Sequence, residues 1–317
     1  VTINALEYSK EILQKWNNDE INSGAPISAF INNRELVYCP SLNIDNARFS
    51  NRNEPESMFY DCSNLKVVGD LTFTKSITSS NSMFRLCSSL TTVTLFDTSS
   101  VTNTGSMFYS CSSLTTIPLF DTSSVTNMNN MFYGCSLLTT LPLLDTSSVT
   151  IMSKMFQACT SLTTIPLFDT SSVTNMSNMF YGCNSLTSIP ALDTSSVTNM
   201  DSMFTSCTKL VELPLLDCSN VNDVDTYFGY SSLSYLTTLG GFKNLGMQAT
   251  VSGTSNSYFL DKAPNLTYES IMNVINNLYD RATAGLSVMT LKINSKTMTL
   301  LSDADKAIAT NKGWTLS

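Results

Sequence analysis

The sequence predicts an α/β solenoid, one 24-residue supersecondary unit written repeatedly and stacked into a right-handed array. Three observations carry this. Met-Phe recurs at Met58-Phe59, Met83-Phe84, Met107-Phe108, Met131-Phe132, Met155-Phe156, Met179-Phe180 and Met203-Phe204, with Tyr227-Phe228 as a degenerate further copy; the steps are 24 residues after a first step of 25. Seven of the nine cysteines keep the same register, at Cys62, Cys87, Cys111, Cys135, Cys159, Cys183 and Cys207. Inside each unit the apolar period changes, so that one stretch reads as a helix face and the next as a strand.

Taken in order, residues 1–56 read as an N-terminal helix and capping segment. Leu6, Ile12, Leu13 and Trp16 give residues 5–17 an amphipathic helical pattern, and residues 25–57, with Arg34, Glu35, Arg48 and Arg52, form an irregular lead-in. Both would cover the first apolar edge of the array, which a solenoid otherwise exposes.

Residues 57–230 are the repeats. Val125, Met128, Met131, Phe132, Cys135 and Leu138 fall on one face of a short helix. Leu138, Leu141 and Leu143, like Leu114, Ile117 and Leu119, then follow an L-x-x-L-x-L pattern whose last two apolar residues mark a short strand. The whole is therefore leucine-rich-repeat-like, with short parallel strands and one short helix per unit. Strands stacked about 4.8 Å apart give a sheet on the order of 40 Å long. Pro118, Pro142, Pro166, Pro190 and Pro214 fall in the strand positions and cannot donate to a ladder, which limits each strand to two or three residues.

Residues 231–317 read as a C-terminal α/β cap that continues the layering. Ile271, Val274, Ile275 and Leu278 form a helical stripe after Thr267, a helix N-cap, and residues 287–293 alternate as a strand. Ser302 and Asp305 start a second helix that Gly313 ends, and Trp314-Thr315-Leu316 adds a last strand.

Composition excludes several classes of function. Only 13% of residues are charged, so serine and threonine must wet the surface. The net charge of −8 argues against holding nucleic acid or an anionic membrane through a basic surface. With no histidine there is no Ser-His-Asp triad, no Cys-His dyad and no His-ligated zinc. No apolar run is long enough to span a membrane, and Val1-Thr2-Ile3-Asn4 shows no signal peptide, which favours a protein made in the cytosol or one numbered after a removed leader.

The unit Met131-Phe132-Tyr133-Gly134-Cys135-Ser136-Leu137-Leu138-Thr139-Thr140-Leu141-Pro142-Leu143-Leu144-Asp145-Thr146-Ser147-Ser148-Val149-Thr150 resembles the BspA-like leucine-rich repeats of bacterial surface proteins. The variant D-T-S-x-V-T-N-M is similar to repeats in gut-bacterial surface proteins and in phage tail or structural proteins. The resemblance covers about residues 56–230. Leu239-Gly240-Gly241-Phe242-Lys243-Asn244-Leu245-Gly246, the segment Asn273–Tyr279 and the segment Ala309–Trp314 also resemble parts of those chains. It implies recognition or adhesion and no catalytic residues, and the absence of a leader together with cytosolic-style thiols points to the phage-encoded kind.

Four ladders are candidate sites. The cysteines read as buried core thiols, with disulfides or a metal as the alternatives; Cys39 and Cys218 lie outside the register. Asp97, Asp121, Asp145, Asp169, Asp193 and Asp217 either cap turns through their carboxylates or present a cation row, and paired-carboxylate catalysis is the third reading, though six equivalent groups make no distinct acid and nucleophile; Asp121, Asp145, Asp169 and Asp193 are the metal candidates, and calcium the one candidate cofactor. Phe96, Phe120, Leu144, Phe168, Leu192 and Leu216 form a strand-end stripe, and if Ile117 and Leu119 point inward, alternation turns Pro118 and Phe120 outward as a partner surface. The other reading tucks the stripe into the core. Tyr60, Tyr109, Tyr133 and Tyr181 follow the Phe of their units, where Arg85, Gln157 and Thr205 stand in others, a pattern that suits a solvent-facing position, either as plain surface residues or as contacts for protein or sugar. The adjacent pairs Thr91-Thr92, Thr115-Thr116, Thr139-Thr140 and Thr163-Thr164 are expected on opposite faces of an extended strand, which argues against a flat hydroxyl array.

The ligand-binding residues expected are thus Phe96, Phe120, Phe168, Tyr109, Tyr133 and Tyr181. The function expected is a non-enzymatic, surface-displayed repeat protein for adhesion or host recognition, on a bacterial surface or a virion, through multivalent protein or glycan contacts. The alternative is a structural subunit of a virion or surface layer that contacts only its neighbours. Neither involves nucleic acid or membrane insertion.

Overall fold

The computed structural model describes residues 30–44, 55–221, 233–247 and 257–317. The helix expected over residues 5–17, the charges of Arg48 and Arg52, and the degenerate copy at Tyr227-Phe228 lie outside the described residues. The chain packs as two compact units, residues 1–149 and 150–317.

In the first unit the strands are β1 (Tyr38–Cys39), β2 (Leu42–Ile44), β3 (Val67–Val68), β4 (Leu71–Phe73) and β5 (Thr92–Val93). β1, β3 and β5 pair parallel in that order, as do β2 and β4, with Tyr38 opposite Val67 and Val67 opposite Thr92. Further along, pairing shrinks to single parallel bridges, Ser79 to Asn103 and Asn103 to Asn127. Two- and three-residue strands, all parallel and one coil apart, are what a proline-limited solenoid requires.

The second unit opens on bridges from Ile151 to Asn175 and from Asn175 to Asn199. It continues in β6 (Glu212–Leu213) paired with β8 (Thr238–Leu239), and β7 (Leu216–Asp217) paired with β9 (Phe242–Lys243). The segment expected as a cap holds β10 (Ser257–Leu260), α1 (Tyr268–Asn277), β11 (Met289–Ile293), α2 (Ser295–Met298), α3 (Asp303–Asn311) and β12 (Trp314–Leu316). β10, β11 and β12 make one parallel sheet in that order. Thr267 caps α1 by accepting from Ser270 N–H, and Ile271, Val274 and Ile275 are its buried face. Ser302 and Asp305 form a reciprocal capping box on α3. Lys312 Nζ donates to the carbonyls of Asn276 and Leu278 at 2.7 and 3.2 Å, closing the negative end of α1. β10 and α2 are additions to the helix–strand–helix–strand order that the sequence predicts.

One expectation is corrected. The short helix of each repeat is a ladder of tight turns, and among the described residues 55–221 no α-helix occurs. In one coil Met131, Tyr133, Cys135 and Leu138 donate N–H to the carbonyls of Met128, Asn130, Phe132 and Cys135, three residues back. The alternate N–H groups leave the coil: Ser106, Phe108 and Ser110 donate to Asn129, Met131 and Tyr133 of the next one at 2.8, 2.9 and 2.6 Å. Two residues per coil adopt left-handed backbone, Asn130 and Gly134 here, at φ 56° and 70°. Those left-handed residues stop helical propagation, and Asn and Gly adopt that conformation at least cost. The three-residue spacing survives because each turn advances three residues, so the same side chains face inward.

The core they build is a pile of identical rows. Phe59, Phe84, Phe108 and Phe132 stack nearly parallel at 5.3, 5.6 and 5.8 Å between ring centroids, and Phe156, Phe180 and Phe204 repeat this in the second unit at 5.8 Å. All are buried, with Val, Met and Leu rows beside them. All nine cysteines are buried and unbridged. Their thiols do more than fill space: Cys87, Cys111 and Cys135 donate to the carbonyls of Phe59, Phe84 and Phe108 in the preceding coil at 2.9, 3.1 and 3.1 Å. Cys183 and Cys207 do the same to Phe156 and Phe180. A small apolar side chain with one weak donor suits that place.

Candidate binding surfaces

The corner after each strand decides which residues reach solvent. Phe120 N–H donates to Pro118 O at 3.0 Å, and in the second unit Leu192 N–H donates to Pro190 O at 2.9 Å. This two-residue closure is a γ-turn with Leu119 or Ala191 at its centre. It breaks the alternation of an extended strand, so the central residue swings out and the next swings in. Phe120 is therefore a core residue, and Phe96 and Phe168 are buried as well. Phe96 and Phe120 lie 5.3 Å apart, and Phe168 lies 6.3 Å from Phe156. Of the two readings of the stripe, the one that tucks it into the core holds, and Leu119, which the outward reading turned inward, faces solvent. The outward row is Leu95, Leu119 and Leu143 in the first unit, with relative exposures of 58%, 61% and 63%, and Leu167 and Leu215 in the second. Sequence reasoning passed over these leucines. The signal available was the doublet of large apolar residues before the aspartate, of which a two-sided element can bury only one.

Two residues beyond each leucine stands an aspartate. The Oδ1 atoms of Asp97, Asp121 and Asp145 each accept two bonds, from the N–H of Ser99, Ser123 and Ser147 at 3.0, 3.1 and 3.0 Å and from their hydroxyls at 2.7 Å. Asp169, Asp193 and Asp217 bind Ser171, Ser195 and Ser219 alike. Each is an Asx turn, the turn-capping reading of the row. The serine hydroxyl and then its N–H hold the Asp97, Asp121 and Asp145 carboxyls below the ordinary carboxylate range. At Asp217 burial pushes upward, and the Lys243 ammonium with Ser219 outweighs it, for a net lowering. Lys243 Nζ sits 2.6 Å from Asp217 Oδ2. Among the described residues no three His, Cys, Asp or Glu side chains gather as a metal site.

The tyrosines sit on the turn ladder. Tyr109 and Tyr133 stack at 4.3 Å with rings 4° apart, and the Arg85 guanidinium lies 3.7 Å above Tyr109. Tyr109 thus meets the preceding coil's cation and the following coil's ring, and is half-buried. Tyr181, in the second unit, is exposed. The threonine pairs differ from expectation. Both members of Thr91-Thr92, Thr115-Thr116, Thr139-Thr140 and Thr163-Thr164 are exposed. Thr91 stands at the corner before β5, where its N–H and hydroxyl both bond Lys66 O, so the two side chains are not related by a strand's alternation.

Coils that stack through backbone bonds, a buried Phe row and a recurring exposed Leu-x-Asp set define a parallel-strand β-solenoid repeat protein. The chain belongs to the family described as "Mycoplasma protein of unknown function, DUF285", whose model matches residues 53–162 and again 139–237, more than half of the sequence. None of the curated proteins matches the chain. Among solved structures it is similar to the Treponema pallidum leucine-rich repeat protein, at 21% identity over 58% of this chain and 69% of that one, with a TM-score of 0.37. It is also similar to a leucine-rich cell surface protein of Faecalibacterium prausnitzii, at 16% identity over 68% and 79% of the two chains, with a TM-score of 0.23. Likenesses this distant leave function to be argued from the chain's own coils.

Proposed function

We propose that this protein is a non-enzymatic recognition module, displayed on a bacterial surface or a virion, that adheres to protein or glycan through many weak, equivalent contacts. The observation that carries it is the repetition of one exposed group set, Leu119-x-Asp121 and its counterparts at Leu95, Leu143, Leu167 and Leu215. Identical sites at fixed spacing add their free energies when a partner engages several together. The resemblance of the repeats to BspA-like surface proteins supports the same reading, as does the chemistry of the titratable groups: the thiols are buried, and each aspartate of the row gives one oxygen to its own turn. Among the described residues no helix is long and apolar enough to cross a membrane. The test is saturable binding of purified full-length protein to bacterial cells and to immobilised glycans. Binding that grows with the number of ligands per bead supports the proposal. Assembly into defined multimers without any cell or glycan binding sinks it in favour of a structural subunit.

A further inference from the structure

We propose that Leu95, Leu119 and Leu143, with the carboxylates of Asp97, Asp121 and Asp145 beside them, dock a basic amphipathic helix of a protein partner. This rests on the recognition reading above and names the partner's chemistry. Single exposed leucines are ordinary, but three in one row at coil spacing make a continuous apolar strip. The backbone aims Leu119 outward through its γ-turn, so the exposure belongs to the fold and not to a loose side chain.

Charge selects the occupant. Each carboxylate spends Oδ1 on its own serine, and among the described residues no cation pairs with Asp97, Asp121 or Asp145. Asp97 and Asp145 both act on Asp121 as like charges. The second unit shows what this position accepts: Asp217, with Oδ1 on Ser219, takes the Lys243 ammonium of the next coil on Oδ2 at 2.6 Å. A partner that brings lysine or arginine beside apolar residues satisfies both rows, whereas nucleic acid and anionic lipid meet like charge.

Spacing selects the helix. Coils recur about every 4.8 Å, so the three leucines span about 9.6 Å. Two turns of an α-helix advance about 10.8 Å, close enough for residues at i, i+4 and i+7 to sit on successive coils. An extended strand presents same-side residues about every 6.7 Å and drifts about 4 Å out of step over the same span.

The probe is a fluorescent Leu/Lys amphipathic peptide of roughly five helical turns, titrated with the full chain and read by anisotropy. The expected result is saturable binding that weakens with salt and is absent for the matching Leu/Glu peptide. The double variant Leu119→Ser, Leu143→Ser weakens binding about tenfold or more. Asp121→Asn with Asp145→Asn keeps the Asx turns, weakens binding about threefold or more and flattens its salt dependence. Asp261→Asn with Asp303→Asn, an equal change of charge elsewhere, leaves binding unaltered; equal weakening there means unspecific attraction and overturns the proposal. No peptide binding, binding indifferent to both ridge variants, or binding to anionic vesicles in preference to the peptide also overturns it. Cell or glycan adhesion that persists in the leucine variant rejects the ridge and leaves the recognition reading standing. Peptide binding without any adhesion does the reverse.

Discussion

Raising the pH in the presence of reductant tests the cysteine ladder. In the first unit, burial pushes the Cys39 and Cys62 thiols up to about 12, and pushes Cys87, Cys111 and Cys135 up as well. In the unfolded chain these thiols ionise near 9.0. A group whose folded pKa is raised lends stability below its unfolded value and withdraws it as pH climbs toward the folded one. The window is therefore pH 9 to 12, and the sign is destabilisation on going alkaline. One pH unit above the unfolded value, each such thiol withdraws on the order of 1 kcal/mol. Five together withdraw several kcal/mol, a large part of the stability of an ordinary domain. Far-UV circular dichroism and thiolate absorbance should change together, steeply, between pH 9 and 10. The Cys135→Ala variant should be about 2 kcal/mol less stable at neutral pH, from one buried heavy atom, its cavity and the bond to Phe108 O. Its alkaline limb should be shallower by one thiol's share. Thiols that titrate near 9 while the fold persists would refute the burial argument, and a native state unchanged above pH 11 would refute its magnitude.

Other perturbations address other layers. Phe132→Ala removes one ring from the stack and should cost about 3–5 kcal/mol in a urea titration, with no loss if the stack is incidental. The lowered Asp97, Asp121 and Asp145 carboxyls add stability above their unfolded value of 3.8 and lose it as pH falls through their folded ones, so the melting temperature should hold from neutral to about pH 5 and drop below about 4; a flat acid limb would contradict the Asx turns. Gly240→Ala drives a Cβ into the backbone of Pro214 and Leu215 one coil earlier and should unfold or strongly destabilise the second unit, visible as a lost or lowered thermal transition. Calcium added after EDTA should leave the melting temperature unchanged, because Oδ1 of each aspartate is already committed to serine; a rise shows the row to be a cation site.

How far the sequence could be read follows from which interactions are local. The inward set Val125, Met128, Met131, Phe132, Cys135 and Leu138 is buried as its spacing predicts, because facing is decided by the step length alone. The Asx turns and the caps at Thr267 and Ser302 were legible for the same reason, their partners lying two or three residues away. The exposed leucines were not legible, because Leu119 and Phe120 are equally apolar neighbours and only the turn closed by Pro118 O separates them. Nor was the mutual covering of Tyr109 by Arg85 and Tyr133, which joins three coils.

What the sequence by itself determined is the repeating unit and its inner face: a period of 24 residues, buried Met, Phe and Cys rows, and carboxylates that close their own turns. What only the tertiary structure decided is how the backbone realises that period. A spacing of three fits a helix and a turn ladder equally well. The choice rests on where alternate N–H groups go, and here Phe108 and its equivalents give theirs to the next coil. Those bonds exist only between stacked units, so no single unit encodes them. They replace the expected helix with turns and hold the coils in register, while the turn closed by Pro118 O aims Leu119 at the solvent.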